Sequence, residues 1–257
     1  MTLFAADLQP AASLDGGAGE LARLEQEAAV HAGVHHPWLQ HLAGTSHGAE
    51  TAMRQFAREY HGYVAWLPRL FERALPHLQP VQQIPWQRRL ARELGFLGDD
   101  ELAGLRRIGV SPHLVQGTPR RMLVDQFALA LGLDEGDLAP TRNALAFRQQ
   151  LLEFLTDANA AEAVGALWLG TELVEADAHG PVLRCLLELG TVRHEALPWF
   201  EMTCAVDAQH HHELRGIARS LAATPGGLAG LERGMQLALG LRATFFDRLA
   251  AALPQPV

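Results

Sequence analysis

The chain has 257 residues, a formal net charge of −8 at pH 7 and a pI near 5.9. An acidic balance argues against a nucleic-acid binder and against a surface built for anionic lipid. Apart from histidine, every basic side chain is arginine, which excludes a lysine Schiff base and a P-loop lysine. With 48% hydrophobic residues the chain can bury a large core as one domain. Its two cysteines, Cys185 and Cys204, match neither a thiolate zinc site nor a CxxC pair and read as small core residues. No basic segment precedes a long apolar run at the start, and no stretch reaches the length of a membrane span. A cytoplasmic protein is expected.

Along the chain, residues 1–18 contain Pro10 and a Gly-rich turn and read as a loose arm, followed by a single helical domain over 19–257. Apolar residues three and four apart predict helices over 20–32, 37–43 and 49–78, the last kinked at Pro68. Residues 79–85 read as a connector. Helices over 86–96 and 99–108 follow, and Ser111-Pro112 carries the signature of a helix start. Further helices are predicted over 120–131, 140–154, 160–179 (ended by Gly180-Pro181), 182–189 (or a continuation of the last one past the proline), 195–221 and 228–253. The Val/Ile/Thr-rich alternation of strands is missing. The expected class is all-α, one bundle of about seven to nine helices.

The predicted helix over 195–221 is the most informative segment. Its apolar stripe runs through Leu197, Phe200, Cys204, Leu214 and Leu221, and Asp207 falls in that stripe. A carboxylate on a core-facing line is costly unless it is ion-paired, hydrogen-bonded or bound to a metal. His210 and His211 stand three and four residues later, so Asp207 and either histidine can share one cation. A structural Asp–His pair within a bundle, or a surface run of histidines, explains the same residues.

Several motifs, taken together in order, resemble a known group. His35-His-Pro-Trp is followed by the Phe-, Gln- and Tyr-rich run from Met53 to Val64. Leu123-Val-Asp-Gln-Phe-Ala-Leu-Ala-Leu-Gly, Gly165-Ala-Leu-Trp-Leu-Gly-Thr-Glu172 and Trp199-Phe200 through His210 come later. This succession resembles the heme-oxygenase-like superfamily, which includes thiaminase II, pyrroloquinoline-quinone synthase and the heme-oxygenase-like diiron oxidases. The resemblance spans residues 34–214. It implies a heme-oxygenase-like bundle and a homodimer. It also implies a six-ligand diiron centre, which is incomplete here. Glu172, Asp207 and His210 match the pattern. Thr203 and Arg120 stand where the family has histidines, and Phe96 and Leu97 stand where its early Glu is sought among residues 93–98.

Two chemistries and a third, non-catalytic role stay open. In the first, Glu172, Asp207 and His210 (or His211) hold iron, one ion in preference to two, and the protein is an oxidase or oxygenase of small-molecule, natural-product metabolism that uses O2. In the second, no metal is present, and Asp207 or Glu172 is a general base while His210 shuttles protons, as in a lyase, cyclase or hydrolase. Arg120 then clamps a substrate carboxylate, unless it is a solvated residue at a helix start. Tyr60, His61, Trp168 and Thr203 complete the expected substrate-binding set, with His61 either lining the pocket or half-buried at the surface. In the third, the chain binds a ligand without catalysis.

Overall fold

The computed structural model describes residues 14–44, 49–190, 192–206 and 211–252. The α-helices run α1 Leu14–Ala29, α2 Pro37–Gly44, α3 Ala49–Val64, α4 Leu67–Ala74, α5 Pro80–Glu93, α6 Asp99–Arg107 and α7 Pro112–Val115. They continue as α8 Arg120–Ala130, α9 Arg142–Asp157, α10 Ala160–Val164, α11 Glu175–Leu189, α12 Pro198–Glu201, α13 His211–Ala222 and α14 Gly227–Ala251. No strand occurs among the described residues, and no described helix is long and apolar enough to cross a membrane. The all-α bundle expected from periodicity is the observed architecture.

The long helix α14 is the spine of the core. Leu231, Met235, Leu239 and Phe246 recur at helical spacing and are fully buried. The helix packs on α10 and the wide turn after it, and on α9, α1 and α13. Small residues make that approach close. A Cβ on Gly165 would stand 2.1 Å from the Leu231 carbonyl oxygen, and one on Gly234 would stand 2.0 Å from that of Glu162. Only glycine fits at either contact.

The expected long helices are interrupted in three places. The helix predicted over 49–78 is not kinked at Pro68. It ends at Val64, and α4 starts anew after Trp66 with Pro68 in its first turn, where a missing N–H leaves no bond unmade. The connector predicted at 79–85 is already helix. Gln82 Oε1 accepts from the Gln79 backbone N–H at 3.0 Å, which closes a capping box at the start of α5. The helix predicted to end at Gly180-Pro181 breaks ten residues earlier. α10 gives way to a π turn over Gly165–Leu169 and a short 3-10 turn over Glu172–Val174, and α11 then runs through Pro181 to Gly190, which adopts φ 59° as its left-handed cap. Likewise the helix predicted over 195–221 divides into α12, a π turn over Met202–Val206 and α13. Finally, α1 begins at Leu14, within the residues expected to form a loose arm.

Candidate functional site

The break after α10 builds the interior. Gly170 N–H reaches back to the Gly165 carbonyl oxygen at 3.0 Å, the five-residue closure of a π turn. Gly165 and Gly170 both press on α14, and a Cβ on Gly170 would stand 2.6 Å from that of Ala238. Thr171 then takes φ −126°, ψ −78° and breaks the helix. The following turn brings Glu172 and Glu175 into the core, 5% and 8% exposed. Two buried carboxylates need counter-charges, and each has its own.

Glu172 belongs to a buried set that joins α5, α8 and the segment after α12. Arg89 Nη2 donates to Glu172 Oε1 at 2.7 Å, and Arg89 Nε donates to the second oxygen. Arg89 Nη2 also lies 2.6 Å from Glu93 Oε1. Arg120 Nε is 3.4 Å from the same Glu93 oxygen, and Arg120 Nη1 donates to Thr203 Oγ1 at 3.3 Å. Arg89, Glu93, Arg120 and Thr203 are all less than 5% exposed. Two guanidinium groups thus face two carboxylates. The structure brings Glu172, Arg120 and Thr203 together as members of one network. Arg120 points inward, and the solvated alternative at the helix start does not hold.

Glu93 stands at the edge of the window in which an early carboxylate is sought. Its signal is legible in retrospect: Trp86, Arg89 and Glu93 share one face of α5, and Arg89 and Glu93 are an i,i+4 pair on a buried stripe.

The second set lies one turn along, around Glu175. Arg242 Nη1 donates to Glu175 Oε1 at 2.8 Å. The Tyr60 hydroxyl donates to Oε2 at 3.1 Å. His179 Nδ1 lies 2.8 Å from Oε2 and 2.9 Å from the Glu175 backbone carbonyl oxygen. Both neighbours of Nδ1 are acceptors, so Nδ1 carries the proton and Nε2 of the neutral ring keeps its lone pair. Burial would raise the Glu175 pKa, but Arg242 and then His179 outweigh it and hold the carboxyl well below its ordinary range. Burial, reinforced by Glu175, pushes both the Tyr60 and the Tyr63 hydroxyls up. Arg242 is raised, because Glu175 outweighs the burial that would lower it.

Aromatic rings enclose this set. The His179 ring centroid lies 5.0 Å from those of Tyr60 and Trp199, with Phe56 and Phe200 at 6.2 Å. Within this apolar surround, His179 Nε2 and Arg242 Nε and Nη2 meet no hydrogen-bond partner among the described residues. Unpartnered buried donors and acceptors are rare in native interiors. Of the residues in this set, only Tyr60 was expected from the sequence. Glu175 and His179 are an i,i+4 pair. Arg242 interrupts the apolar face of α14 between Leu239 and Phe246, and that interruption is its signal.

The remaining expected residues fall elsewhere. His61 pairs with Asp125 between α3 and α8 and does not join either set. Trp168 is fully buried in the π turn. His211 is half-buried at the first position of α13. Asp207 and His210 lie outside the described residues.

Glu172 as held is already charge-compensated. Both its oxygens accept from Arg89, whose charge is permanent. Among the described residues, no three His, Cys, Asp or Glu side chains gather closely enough to hold a metal ion.

No protein-family model matches the chain, and no curated protein matches it by sequence. Solved structures do. A CADD-like protein of unknown function from Nostoc punctiforme superposes with a TM-score of 0.71 at 14% identity, covering 92% of this chain and 98% of that one. A TenA homolog from Pseudomonas syringae pv. tomato gives 0.66 at 14% identity, with 95% and 97% covered. A domain of unknown function with a heme oxygenase-like fold from Shewanella denitrificans gives 0.61 at 13% identity, with 93% of each chain covered. This chain therefore has the heme oxygenase-like fold.

Proposed function

We propose that the protein transforms a small molecule by metal-independent acid–base chemistry of the lyase, cyclase or hydrolase kind. His179 is the proton-transferring group and Glu175 the group that orients it. One observation carries this reading. His179 Nδ1 is anchored 2.8 Å from Glu175 Oε2 while Nε2, on the far side of the ring, has no partner among the described residues. A base held by a carboxylate through one nitrogen, with its other nitrogen not hydrogen-bonded to any described residue, is the arrangement general-base catalysis needs. Glu175 stays ionised and stabilises the imidazolium formed when Nε2 takes a proton. Arg242 offsets that carboxylate while the ring is neutral. Tyr60, kept protonated by burial, adds a hydroxyl beside the same ring.

This differs from the assignment expected from the resemblance, in which Asp207 or Glu172 is the base. Glu172 accepts from Arg89 at both oxygens, so a permanent cation holds its charge and lowers its basicity. The oxidase reading, with iron on Glu172, Asp207 and His210 or His211, requires a metal ion beside the Arg89 guanidinium, a like charge.

The test is conversion of a bacterial metabolite extract, followed by untargeted mass spectrometry, with and without a chelator. Compounds consumed in chelator by the native chain but not by His179→Gln support the proposal. Consumption that stops in chelator and returns with Fe(II) overturns it in favour of the oxidase.

A further inference from the structure

Away from the interior, a groove of about 370 Å³ lies along α9 beside the start of α4. That volume is in the range of small-molecule sites. Leu145, Arg148, Leu152 and Thr156 line it at steps of three and four, so one face of α9 supplies one wall. Trp66, half-buried just before α4, supplies the other.

Two cations meet on this indole. The guanidinium carbon of Arg148 lies 4.2 Å from the Trp66 ring centroid, and that of Arg69 lies 4.9 Å from it. The two charges are thus no more than about one Debye length apart at physiological salt. Neither forms an ion pair with a carboxylate among the described residues. Other surface arginines of this acidic chain do: Arg23, Arg88, Arg215 and Arg233 each hold a glutamate. Glu153 also lines the groove, but its Oε1 accepts from Gln149 Nε2 at 2.9 Å. Burial first, and then the Arg69 charge, lower the Arg148 pKa, as expected of like charges without a counter-ion.

The indole face attracts each cation but neutralises neither. Two uncompensated guanidinium groups match a dianion, and a phosphate monoester carries about −1.5 to −2 charges at pH 7. Leu145, Leu152 and Trp66 favour an apolar body on that ester. The net charge of −8 opposes an anionic bilayer, which leaves a free small molecule.

We propose that this groove binds a small organic phosphate monoester, its phosphate between Arg69 and Arg148 and its apolar part along Leu145 and Leu152. The site is separate from His179 and stands without the acid–base reading.

Isothermal titration with phenyl phosphate tests it, with inorganic phosphate, phenyl sulfate and benzyl alcohol as partial probes. Phenyl phosphate should bind one per chain, and each partial probe should bind several-fold more weakly. Arg148→Met and Arg69→Met keep an apolar stem on the indole and remove one charge each, so each should weaken binding at least about tenfold. Leu145→Glu, at an exposed position, sets a carboxylate in the groove and should weaken binding similarly. His179→Gln should bind as the native chain does. Circular dichroism checks that each variant is folded. No binding of phenyl phosphate overturns the proposal, as does unchanged affinity in folded Arg148→Met or Arg69→Met. Inorganic phosphate or phenyl sulfate binding as tightly as phenyl phosphate also overturns it. So does co-sedimentation with phosphatidate vesicles by a chain that ignores phenyl phosphate, which would reassign the groove to a bilayer.

Discussion

Arg89 holds Glu172 with Nε on one carboxylate oxygen and Nη2 on the other, and the same Nη2 reaches Glu93 at 2.6 Å. The guanidinium is 4% exposed and lies against the Phe71 ring. Removing one member of a buried pair leaves the other charge uncompensated, which costs about 3–5 kcal/mol. Arg89→Met is therefore expected to lower the unfolding free energy by about that amount, read by denaturant titration. The double variant Arg89→Met, Glu172→Leu should recover most of the loss, because two apolar groups then replace two charges. A small effect of the single change would mean that Glu172 is neutralised by something else.

Stability in acid should report on Glu175. The native carboxyl is held low, while in the unfolded chain it takes up a proton near pH 4.3 or so. Its stabilisation is thus fully present above that pH and is lost as pH falls further, by up to about 1.4 kcal/mol per pH unit. Glu175→Gln lacks this component. Unfolding curves of the two chains should diverge least at low pH and most near neutrality. Parallel pH profiles would contradict the Arg242–Glu175–His179 geometry.

Alkali provides a separate readout, because Tyr60 and Tyr63 are the only tyrosines in the sequence. Both hydroxyls are buried and pushed above the ordinary value of 10.0. The native state keeps their protons while the unfolded chain releases them, so stability falls as pH rises past about 10. Tyrosinate absorbance should appear together with the loss of helical circular dichroism. Smooth ionisation near pH 10 in a fully helical protein would contradict the burial of both rings.

Two glycines should respond to alanine with opposite signs. Gly234 faces the Glu162 carbonyl oxygen at 2.0 Å from a new Cβ, whereas Gly216, on the exposed side of α13, meets nothing within 4 Å. Gly234→Ala is expected to destabilise by about 1–3 kcal/mol through overpacking. Gly216→Ala should stabilise by about 0.5–1 kcal/mol by restricting the unfolded chain. Thermal unfolding of both variants checks the close approach of α10 to α14.

The bundle was legible in sequence because burial repeats at helical spacing: Leu231, Met235 and Leu239 on α14 mark one face by their spacing alone. The breaks were not. Pro68 reads as a kink and Gly180-Pro181 as a stop, but the first sits harmlessly in a helix start and the second within α11. The real interruption, at Gly165–Thr171, arises from contact with α14, which sequence spacing cannot express. The site was half legible for a related reason. Glu172, Arg120, Thr203 and Tyr60 are buried polar residues at positions a family pattern points to. Glu93, Glu175, His179 and Arg242 sit on apolar stripes of other helices, and only their meeting in space makes one a partner of the next.

The acid–base reading takes the Arg89 guanidinium, bonded to both oxygens, as the group that neutralises Glu172. Iron content per chain after anaerobic loading with Fe(II) and desalting tests it most directly, with Glu172→Gln measured alongside. The arrangement predicts no stoichiometric iron in either protein. One iron per native chain, lost in Glu172→Gln while Arg89→Met retains it, would contradict the claim and return the interior to the oxidase reading.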